Sequence, residues 1–464
     1  MKIHLPKILI LALLLSSTVI FGFGCKGMST TEKQATKAVS LEYWTVYDDV
    51  DALRTLAAQY RQARPYLTIN IKQLRAEELY QKLIEELADD RGPDIISINN
   101  RELRKFYTKL APMPSSVQDT TVTVTKTTIG TDTTVNIGTV NLPTTDQLDK
   151  EYVQTVKKDV VIGGRIYGLP VSLDTMALYY NKDLLDKAGI PEPPDTWEKF
   201  SEAVKKITRY NKDTNKVTQS GTALGTGNNI PGFDDILYLL FDQSNVPFVS
   251  NNGQVVFSGG GDSSGAAMDI LSFYTDFANP TRDTYSWNES MSPALDQFVN
   301  GSVGFFFGYS YHLPVIRGRA PQLNFGILPM LQLSTDAILA KNVANYSVQT
   351  VVAKSKDQNE AWAFINYLTR SQANGEYLEK TKRPAALRAY IAKQKTNSDL
   401  QPFVDQILVA SNWYRGRNYA SAQQALKDLL HDWLNPPANL EERKANQWRQ
   451  DLLNIAANKI NQTL

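Results

Sequence analysis

The chain has few of the residues on which disulfide and metal chemistry depend. Its 464 residues include one cysteine and three histidines, which excludes an intrachain disulfide and a cysteine-based metal cluster. Neither sign of charge is in excess, since 49 basic and 48 acidic residues leave a formal net charge of +1. A general nucleic-acid binder needs a basic excess or patch, and long disorder needs high net charge with few apolar residues. The composition therefore predicts a folded globular protein with no nucleic-acid partner.

Long hydrophobic runs are also scarce, and the clearest one stands at the N-terminus. Residues 8–21 are almost wholly apolar and follow Lys2 and Lys7, but the run is shorter than the ~20 residues that a membrane-spanning helix needs. This pattern is typical of a secretory signal peptide. The residues that follow, GFGC at 22–25, contain the only cysteine, Cys25.

This segment resembles the bacterial lipobox, with Gly22 where leucine is usual. The resemblance implies cleavage before Cys25 and lipid attachment to that residue, and a free buried cysteine is the alternative. We therefore expect residues 1–24 to be a lipoprotein signal peptide. Residues 25–40 are small and polar, as in a flexible tether. The body would then be held outside the cytoplasm, on the outer face of the cytoplasmic membrane or in the periplasm.

The body alternates between strand and helix patterns. Residues 67–71 alternate apolar and polar side chains, as a half-buried strand does, and residues 53–60 carry apolar side chains at helical spacing. The order strand, helix, strand, helix, strand over residues 41–98 predicts a parallel sheet covered by helices. Further elements are predicted as helices at 197–208, 233–243, 264–278 and 358–369, and as strands at 303–307 and 345–353.

Residues 115–147 interrupt this order. They are rich in threonine and valine, they alternate at period two, and they carry Gly130-Thr131-Asp132 near the middle. The pattern predicts a β-hairpin insertion. A disordered low-complexity loop is the alternative.

The sequence lacks the common catalytic motifs. It contains no GxSxG, no HExxH and no phosphate-binding Gly-Lys-Ser/Thr loop. The pairs Glu77/Glu78 and Glu85/Glu86 lie on a predicted helix, and a solvated helix face explains them better than glycosidase acid/base chemistry. We expect a protein that is not an enzyme and that carries no cofactor and no metal.

Aromatic and polar residues follow several predicted strands, with Trp44, Tyr47 and Asp48 as the first example. In open α/β sheets, ligands lie outside the carboxyl ends of the strands. A sugar needs flat aromatic faces for the apolar side of its ring and Asp, Asn or Arg side chains for its hydroxyls. Core packing is the alternative for each aromatic taken alone.

A more specific pattern runs from GLP at 168–170 through YNKDL at 180–184 and KAG at 187–189 to PPDTWEKF at 193–200. This order resembles the family 1 extracellular solute-binding proteins, the maltose-binding-protein-like receptors of ABC importers. GPDI at 92–95 extends the resemblance toward the N-terminus.

The resemblance implies an α/β, two-lobed fold of the periplasmic-binding-protein type (type II), in which each lobe is a β-sheet flanked by helices and hinge segments join the lobes. Lobe one would comprise residues 41–172 plus 327–388, and lobe two residues 173–326 plus 389–464. The residues that it places at the solute cleft are Trp44, Tyr47, Asp48, Asp49, Asn99, Asn100, Asp174, Trp287, Tyr309, Tyr311, Asn345, Tyr346, Arg383 and Trp413.

The implied function is a membrane-anchored, monomeric receptor that binds a sugar or oligosaccharide between its lobes and delivers it to ABC permease subunits. The Trp287→Ala variant should then lose solute affinity without a change in melting. The alternatives are a polyamine, peptide or other small polar solute, a surface enzyme acting on glycans, and a sensory receptor that signals to a membrane kinase.

Overall fold

The computed structural model describes residues 28–464 except 129, 215, 251, 260–261, 337–338 and 371. The predicted signal peptide and Cys25 lie outside the described residues. Within them, no helix is both long and apolar enough to cross a bilayer.

The described elements alternate between strands and helices along most of the chain. The strands are β1 (Val39–Thr45), β2 (Leu67–Gln73), β3 (Ile95–Asn99), β4 (Leu110–Ala111), β5 (Ser116–Thr127), β6 (Gly130–Asn141), β7 (Val161–Ile162), β8 (Arg165–Ile166), β9 (Asp174–Thr175), β10 (Ala177–Asn181), β11 (Arg209–Tyr210), β12 (Val217–Thr222), β13 (Val303–Gly308), β14 (Phe325–Pro329), β15 (Asn342–Asn345), β16 (Ser347–Val352) and β17 (Ala410–Ser411). The α-helices are α1 (Thr30–Ala35), α2 (Val50–Gln62), α3 (Ala76–Ala88), α4 (Leu103–Phe106), α5 (Thr145–Glu151), α6 (Gln154–Val160), α7 (Lys182–Lys187), α8 (Trp197–Ile207), α9 (Phe233–Gln243), α10 (Asp262–Asp276), α11 (Ala294–Val299), α12 (His312–Arg319), α13 (Gln358–Arg370), α14 (Gln372–Thr381), α15 (Arg388–Gln394), α16 (Gln401–Val404), α17 (Tyr419–Leu434) and α18 (Glu442–Asn461).

Lobe one is built on a sheet of order β2-β1-β3-β16-β4. Strand β1 runs parallel to β2 and to β3, with Tyr43 opposite Ile71 and Ile95. The predicted parallel sheet is therefore confirmed. Strand β16 enters antiparallel to β3, so a segment from late in the chain completes this sheet. The core of the lobe includes the fully buried Trp362 and Phe364 of α13.

Lobe two is built on a sheet of order β11-β12-β13-β10-β14. All six residues of β13 are buried. Helix α8 begins where the side chain of Thr196 accepts a hydrogen bond from the Lys199 amide, and it buries Trp197 and Phe200 against this sheet. Trp197 stacks on Phe307 at a centroid distance of 5.5 Å.

The hinge is a small sheet of order β17-β15-β9, in which Asn345 lies opposite Asp174 and Asn342 opposite Ala410. Two of the predicted lobe boundaries need correction. Strand β14 pairs with β10 of lobe two, so lobe one does not resume at residue 327 but after β15. Ile391 lies in the core of lobe one, so lobe two does not resume at residue 389. Residues 403–407 contribute to both cores, since Phe403 packs in lobe two and Val404 and Ile407 pack in lobe one.

The insertion at residues 115–147 forms the predicted hairpin. Strands β5 and β6 pair without interruption from Ser116 opposite Asn141 to Thr127 opposite Gly130. The base of the hairpin is attached to lobe one, because the Arg64 guanidinium donates to both carboxylate oxygens of Asp119 at 2.8 and 2.6 Å. The outer half is exposed to solvent.

Candidate functional site

A cavity of about 630 Å³ lies between the lobes and is lined by both of them and by the hinge. Most of the predicted site residues line it, and they are Tyr47, Asp48, Asn99, Asp174, Tyr309, Tyr311, Asn345, Tyr346 and Arg383. Other lining side chains were not predicted, and they include Glu77, Tyr80, Arg101, Glu102, Asp234, Asp235, Tyr377, Tyr419 and Gln423.

The wall from lobe one follows the carboxyl end of β1. Tyr47 is 56% exposed there. Asp48 is buried, and its Oδ2 accepts hydrogen bonds from the Thr45 hydroxyl at 2.9 Å and from the Gln349 amide at 3.1 Å. Its Oδ1 accepts no hydrogen bond from the part of the chain that the structure describes. Asp48 therefore presents an oriented acceptor at the cavity.

The wall from lobe two combines stacked tyrosines with two carboxylates. Tyr309 and Tyr311 follow β13, and their rings stack at 5.6 Å with an interplanar angle of 17°. Gly232 has a left-handed backbone (φ 70°) that side-chain-bearing residues rarely adopt. It opens α9, whose first turn places Asp234 and Asp235 at the cavity.

Asp174 lies where hinge strand β9 reaches the cavity. Its Oδ2 accepts hydrogen bonds from the Ser310 amide at 2.9 Å and from the Ser310 hydroxyl at 2.6 Å, and its Oδ1 accepts one from the Thr175 amide at 2.9 Å. Burial raises the pKa of Asp174 to about 6, and the hydrogen bonds from Ser310 act in the opposite direction. The side chain joins the hinge to the wall of lobe two.

Two side chains of lobe one reach toward neighbouring segments at the cavity. The Asn99 amide donates to Asn345 Oδ1 at 2.7 Å. The Arg383 guanidinium lies 5.6 Å from the ring centroid of Tyr311 and donates to the Tyr47 carbonyl at 3.4 Å. Arg383 therefore contacts both walls of the cavity.

Arg101 makes the most buried contact between the lobes among the described ion pairs. Its Nη2 lies 2.5 Å from Asp235 Oδ1, and the two side chains are 4% and 2% exposed. Its Nη1 donates to the Tyr419 hydroxyl at 2.7 Å. Burial raises the pKa of Asp235 to about 7, although the positive charge of Arg101 lowers it. The sequence predicted Asn100 at the cleft but not the neighbouring Arg101.

Five predicted site residues do not line the cavity, and each correction has a local cause. Trp44 lies on β1 and is 5% exposed within lobe one. The Asp49 carboxylate caps α2 by accepting from the Ala52 amide at 2.8 Å. The Asn100 amide donates to the buried Asp159 carboxylate at 3.0 Å.

The other two corrections concern tryptophans of lobe two. Trp287 is fully buried, and its indole donates to Asn229 Oδ1 at 3.0 Å. Trp413 is 2% exposed and packs edge-on against Phe248 at 5.2 Å. Both tryptophans therefore belong to the core of lobe two, which was the alternative for each aromatic taken alone.

A model of the bacterial extracellular solute-binding protein family matches residues 46–375. The chain belongs to this family. The predicted family and the two-lobed fold are thereby confirmed. The cavity of this solute-binding protein lies at the interlobe position that the resemblance implied.

Relatives with known or assigned ligands are distant in sequence. The multiple sugar-binding protein of Streptococcus mutans is 22% identical over 305 residues, which cover 59% of this chain and 67% of the relative. The sn-glycerol-3-phosphate-binding periplasmic protein of Yersinia enterocolitica is 26% identical over 259 residues, which cover 52% and 54%.

Solved structures match over nearly the whole solute-binding protein. The cyclic alpha-maltosyl-1,6-maltose binding protein of Arthrobacter globiformis gives a TM-score of 0.68 at 17% identity and covers 92% of this chain and 99% of that one. The sugar-binding protein MalE of Xanthomonas citri gives a TM-score of 0.66 at 17% identity and covers 91% and 98%. At these identities the likeness shows the fold.

Proposed function

We propose that this solute-binding protein is the extracytoplasmic receptor of an ABC importer, and that it binds a sugar or oligosaccharide between its lobes and releases it unaltered to the permease. The observation that carries the proposal is the composition of the cavity, in which tyrosine rings alternate with oriented carboxylate, amide and guanidinium groups. The sugar ligands named for relatives of the same fold support it.

The aromatic part of the cavity suits a pyranose ring. Tyr47 is exposed, and Tyr311 is half-buried and stacked on Tyr309. Tyrosine offers a flat apolar face together with a hydroxyl, so one residue serves both sides of an amphipathic sugar. The volume of about 630 Å³ falls within the ~300–1,000 Å³ that is usual for small-molecule sites.

The polar part of the cavity suits hydroxyl groups. Asp48 keeps an acceptor without a partner among the described residues, while Asn99 and Arg383 add donors. Asp174 and Asp235 already use their oxygens within the protein. The carboxylates of Asp174 and Asp235 are therefore held by groups of the protein itself, whereas glycosidase catalysts have to act on the sugar.

The proposed membrane attachment is a lipid on Cys25, supported by the lipobox resemblance of residues 22–25. Helix α1 (Thr30–Ala35) and the start of β1 at Val39 lie within the predicted tether of residues 25–40, so the tether is shorter than predicted. The permease subunits are the proposed protein partner, and the receptor acts as a monomer.

The test is a thermal-shift screen with maltotetraose, mannotriose, monosaccharides, spermidine and sn-glycerol-3-phosphate. A ligand at 100 times its Kd stabilises the protein by about 2.7 kcal/mol. We expect an oligosaccharide to raise the Tm and to be recovered chemically unchanged by chromatography. A response to spermidine alone favours the polyamine alternative, and a cleaved sugar contradicts the receptor function.

A matched pair of variants locates the site. Tyr47→Ala removes an exposed ring at the cavity, so we expect about tenfold weaker sugar binding with an unchanged Tm in the absence of sugar. Tyr210→Ala removes a ring of 38% exposure on β11, away from the cavity, and should leave sugar affinity unchanged. Equal loss in both variants contradicts the proposed site.

A further inference from the structure

We propose that Arg101 is a positioning residue that sets the equilibrium between open and closed lobes, because it ties lobe one to lobe two through Asp235. The inference rests on the proposed function, since it explains how affinity for the solute is set. Arg101 changes the affinity by changing how often the lobes are closed, in addition to any contact that it makes at the cavity.

The ion pair joins elements from the bodies of the two lobes. Arg101 follows β3 of lobe one, and Asp235 lies in the first turn of α9 of lobe two. Another buried aspartate, Asp159, also pairs across segments, with Arg415 at 2.8 Å. Arg415 lies close to hinge strand β17, and Arg101 also contacts the hinge region through the Ala344 carbonyl and Asn412. Asp235 lies in the body of lobe two on the cavity wall, so we expect opening to move Asp235 away from the guanidinium.

The Arg101 guanidinium has hydrogen-bond partners in lobe two and at the hinge, where it donates to the Ala344 carbonyl at 3.3 Å. Arg101 donates to the Tyr419 hydroxyl at 2.7 Å and to Asn412 Oδ1 at 3.3 Å. Asp235 accepts from the Tyr309 hydroxyl at 2.5 Å. Tyr309, Tyr419 and Asp235 all belong to lobe two, so the guanidinium of one lobe is inserted into a polar socket of the other.

Removal of Arg101 has a different consequence here than in a rigid core. A buried carboxylate without its partner is strongly unfavourable. In a rigid protein the relief is protonation of the carboxylate or unfolding, but these lobes are joined by a hinge sheet whose outer strands, β9 and β17, have two residues each. Separation of the lobes hydrates Asp235 and leaves both cores intact. We therefore expect Arg101 variants to open.

Opening changes binding in a defined way. Solute enters the open form and is held in the closed form, so the apparent affinity falls when closure becomes less favourable. Association becomes faster, because solute no longer waits for the lobes to separate, and dissociation becomes faster by a larger factor. Loss of a direct sugar contact alone would increase the dissociation rate and leave the association rate unchanged.

The experiment compares the radius of gyration of the sugar-free protein by small-angle X-ray scattering at pH 8. We expect Arg101→Met to be more expanded than wild type and to return to the wild-type radius at saturating sugar. Arg101→Lys keeps a positive charge and should lie between the two. Stopped-flow binding should show faster association and roughly tenfold weaker affinity for Arg101→Met.

Arg64→Met is the matched control, because it removes a bidentate ion pair with Asp119 that lies entirely within lobe one. Its radius and association rate should equal those of wild type. If Arg101→Met does not fold, Asp235→Asn removes the same pair from the other side and should also expand the protein.

The inference is overturned if the wild type and the folded Arg101 and Asp235 variants have equal radii in the absence of sugar, whether all of them are compact or all of them are open. The proposed function fails separately. If no sugar binds wild type or any variant, the receptor assignment is wrong, while the scattering comparison still decides the role of Arg101.

Discussion

At the scale of single residues, aromatic side chains divide between the cavity and the cores, and neighbours in sequence fall on different sides. Tyr47 is 56% exposed at the cavity, while Trp44 of the preceding strand is 5% exposed. Trp44 lies within β1, whose last three residues are all buried, whereas Tyr47 lies beyond the end of the strand. Trp287 also lies outside the strands and helices and is nevertheless fully buried.

The Trp287→Ala variant tests the corrected placement of that residue. Trp287 is fully buried and its indole is hydrogen-bonded to Asn229, so its removal leaves a cavity and a lost donor. We expect the free energy of unfolding in urea to fall by about 3–5 kcal/mol. The half-buried Trp448 of α18 provides the control, and Trp448→Ala should cost clearly less. If Trp287→Ala loses sugar binding while its free energy of unfolding stays at the wild-type value, the residue contacts the sugar and the corrected placement is wrong.

At the scale of elements, the β5–β6 hairpin has an anchored base and a free outer half. Besides the Arg64–Asp119 ion pair, the Gln118 amide donates to Asn359 Oδ1 and the Asn359 amide returns a hydrogen bond to the Gln118 carbonyl, both at 2.8 Å. Beyond Val122 the strands are exposed, with Val124 at 60%. The outer half therefore contributes little to the stability of lobe one.

Shortening the hairpin tests this division. Replacement of residues 125–132 by Asn-Gly keeps Val124 opposite Thr133 across a two-residue turn that suits a hairpin. We expect the Tm and the sugar affinity to remain at the wild-type values. Asp119→Asn, which breaks the half-buried ion pair at the base, should lower the free energy of unfolding by about 2 kcal/mol. A large loss of Tm on shortening would show that the outer half supports the lobe.

Elements with a local sequence pattern could be predicted, whereas contacts between distant segments could not. The period-two pattern identified β5 and β6, and the helical spacing of residues 53–60 identified α2, because these signals are local. The predicted boundary at residue 327 cut through β14, because the pairing of β14 with β10 joins segments that are distant in sequence and leaves no local pattern. Arg101 and Asp235 were missed for the same reason, since their contact exists only once both lobes are folded.

At the scale of the whole molecule, two separate cores are joined by a hinge sheet of a few residues per strand. Each core has its own buried tryptophans, with Trp362 of lobe one 1% exposed and Trp197 of lobe two 3% exposed. Units with their own cores and few connections tend to unfold separately. A solute held by both walls couples them.

Differential scanning calorimetry of two core variants tests this coupling. Trp362→Ala should lower the transition of lobe one and Trp197→Ala that of lobe two, each by a cost of about 3–5 kcal/mol to its own core. In the absence of sugar we expect each variant to resolve two transitions, with the unmodified lobe melting as in wild type. Saturating sugar should raise the lower transition and bring the two together, because binding requires both walls. If both variants instead shift a single transition by the same amount without sugar, the lobes unfold as one unit and the hinge transmits stability between them.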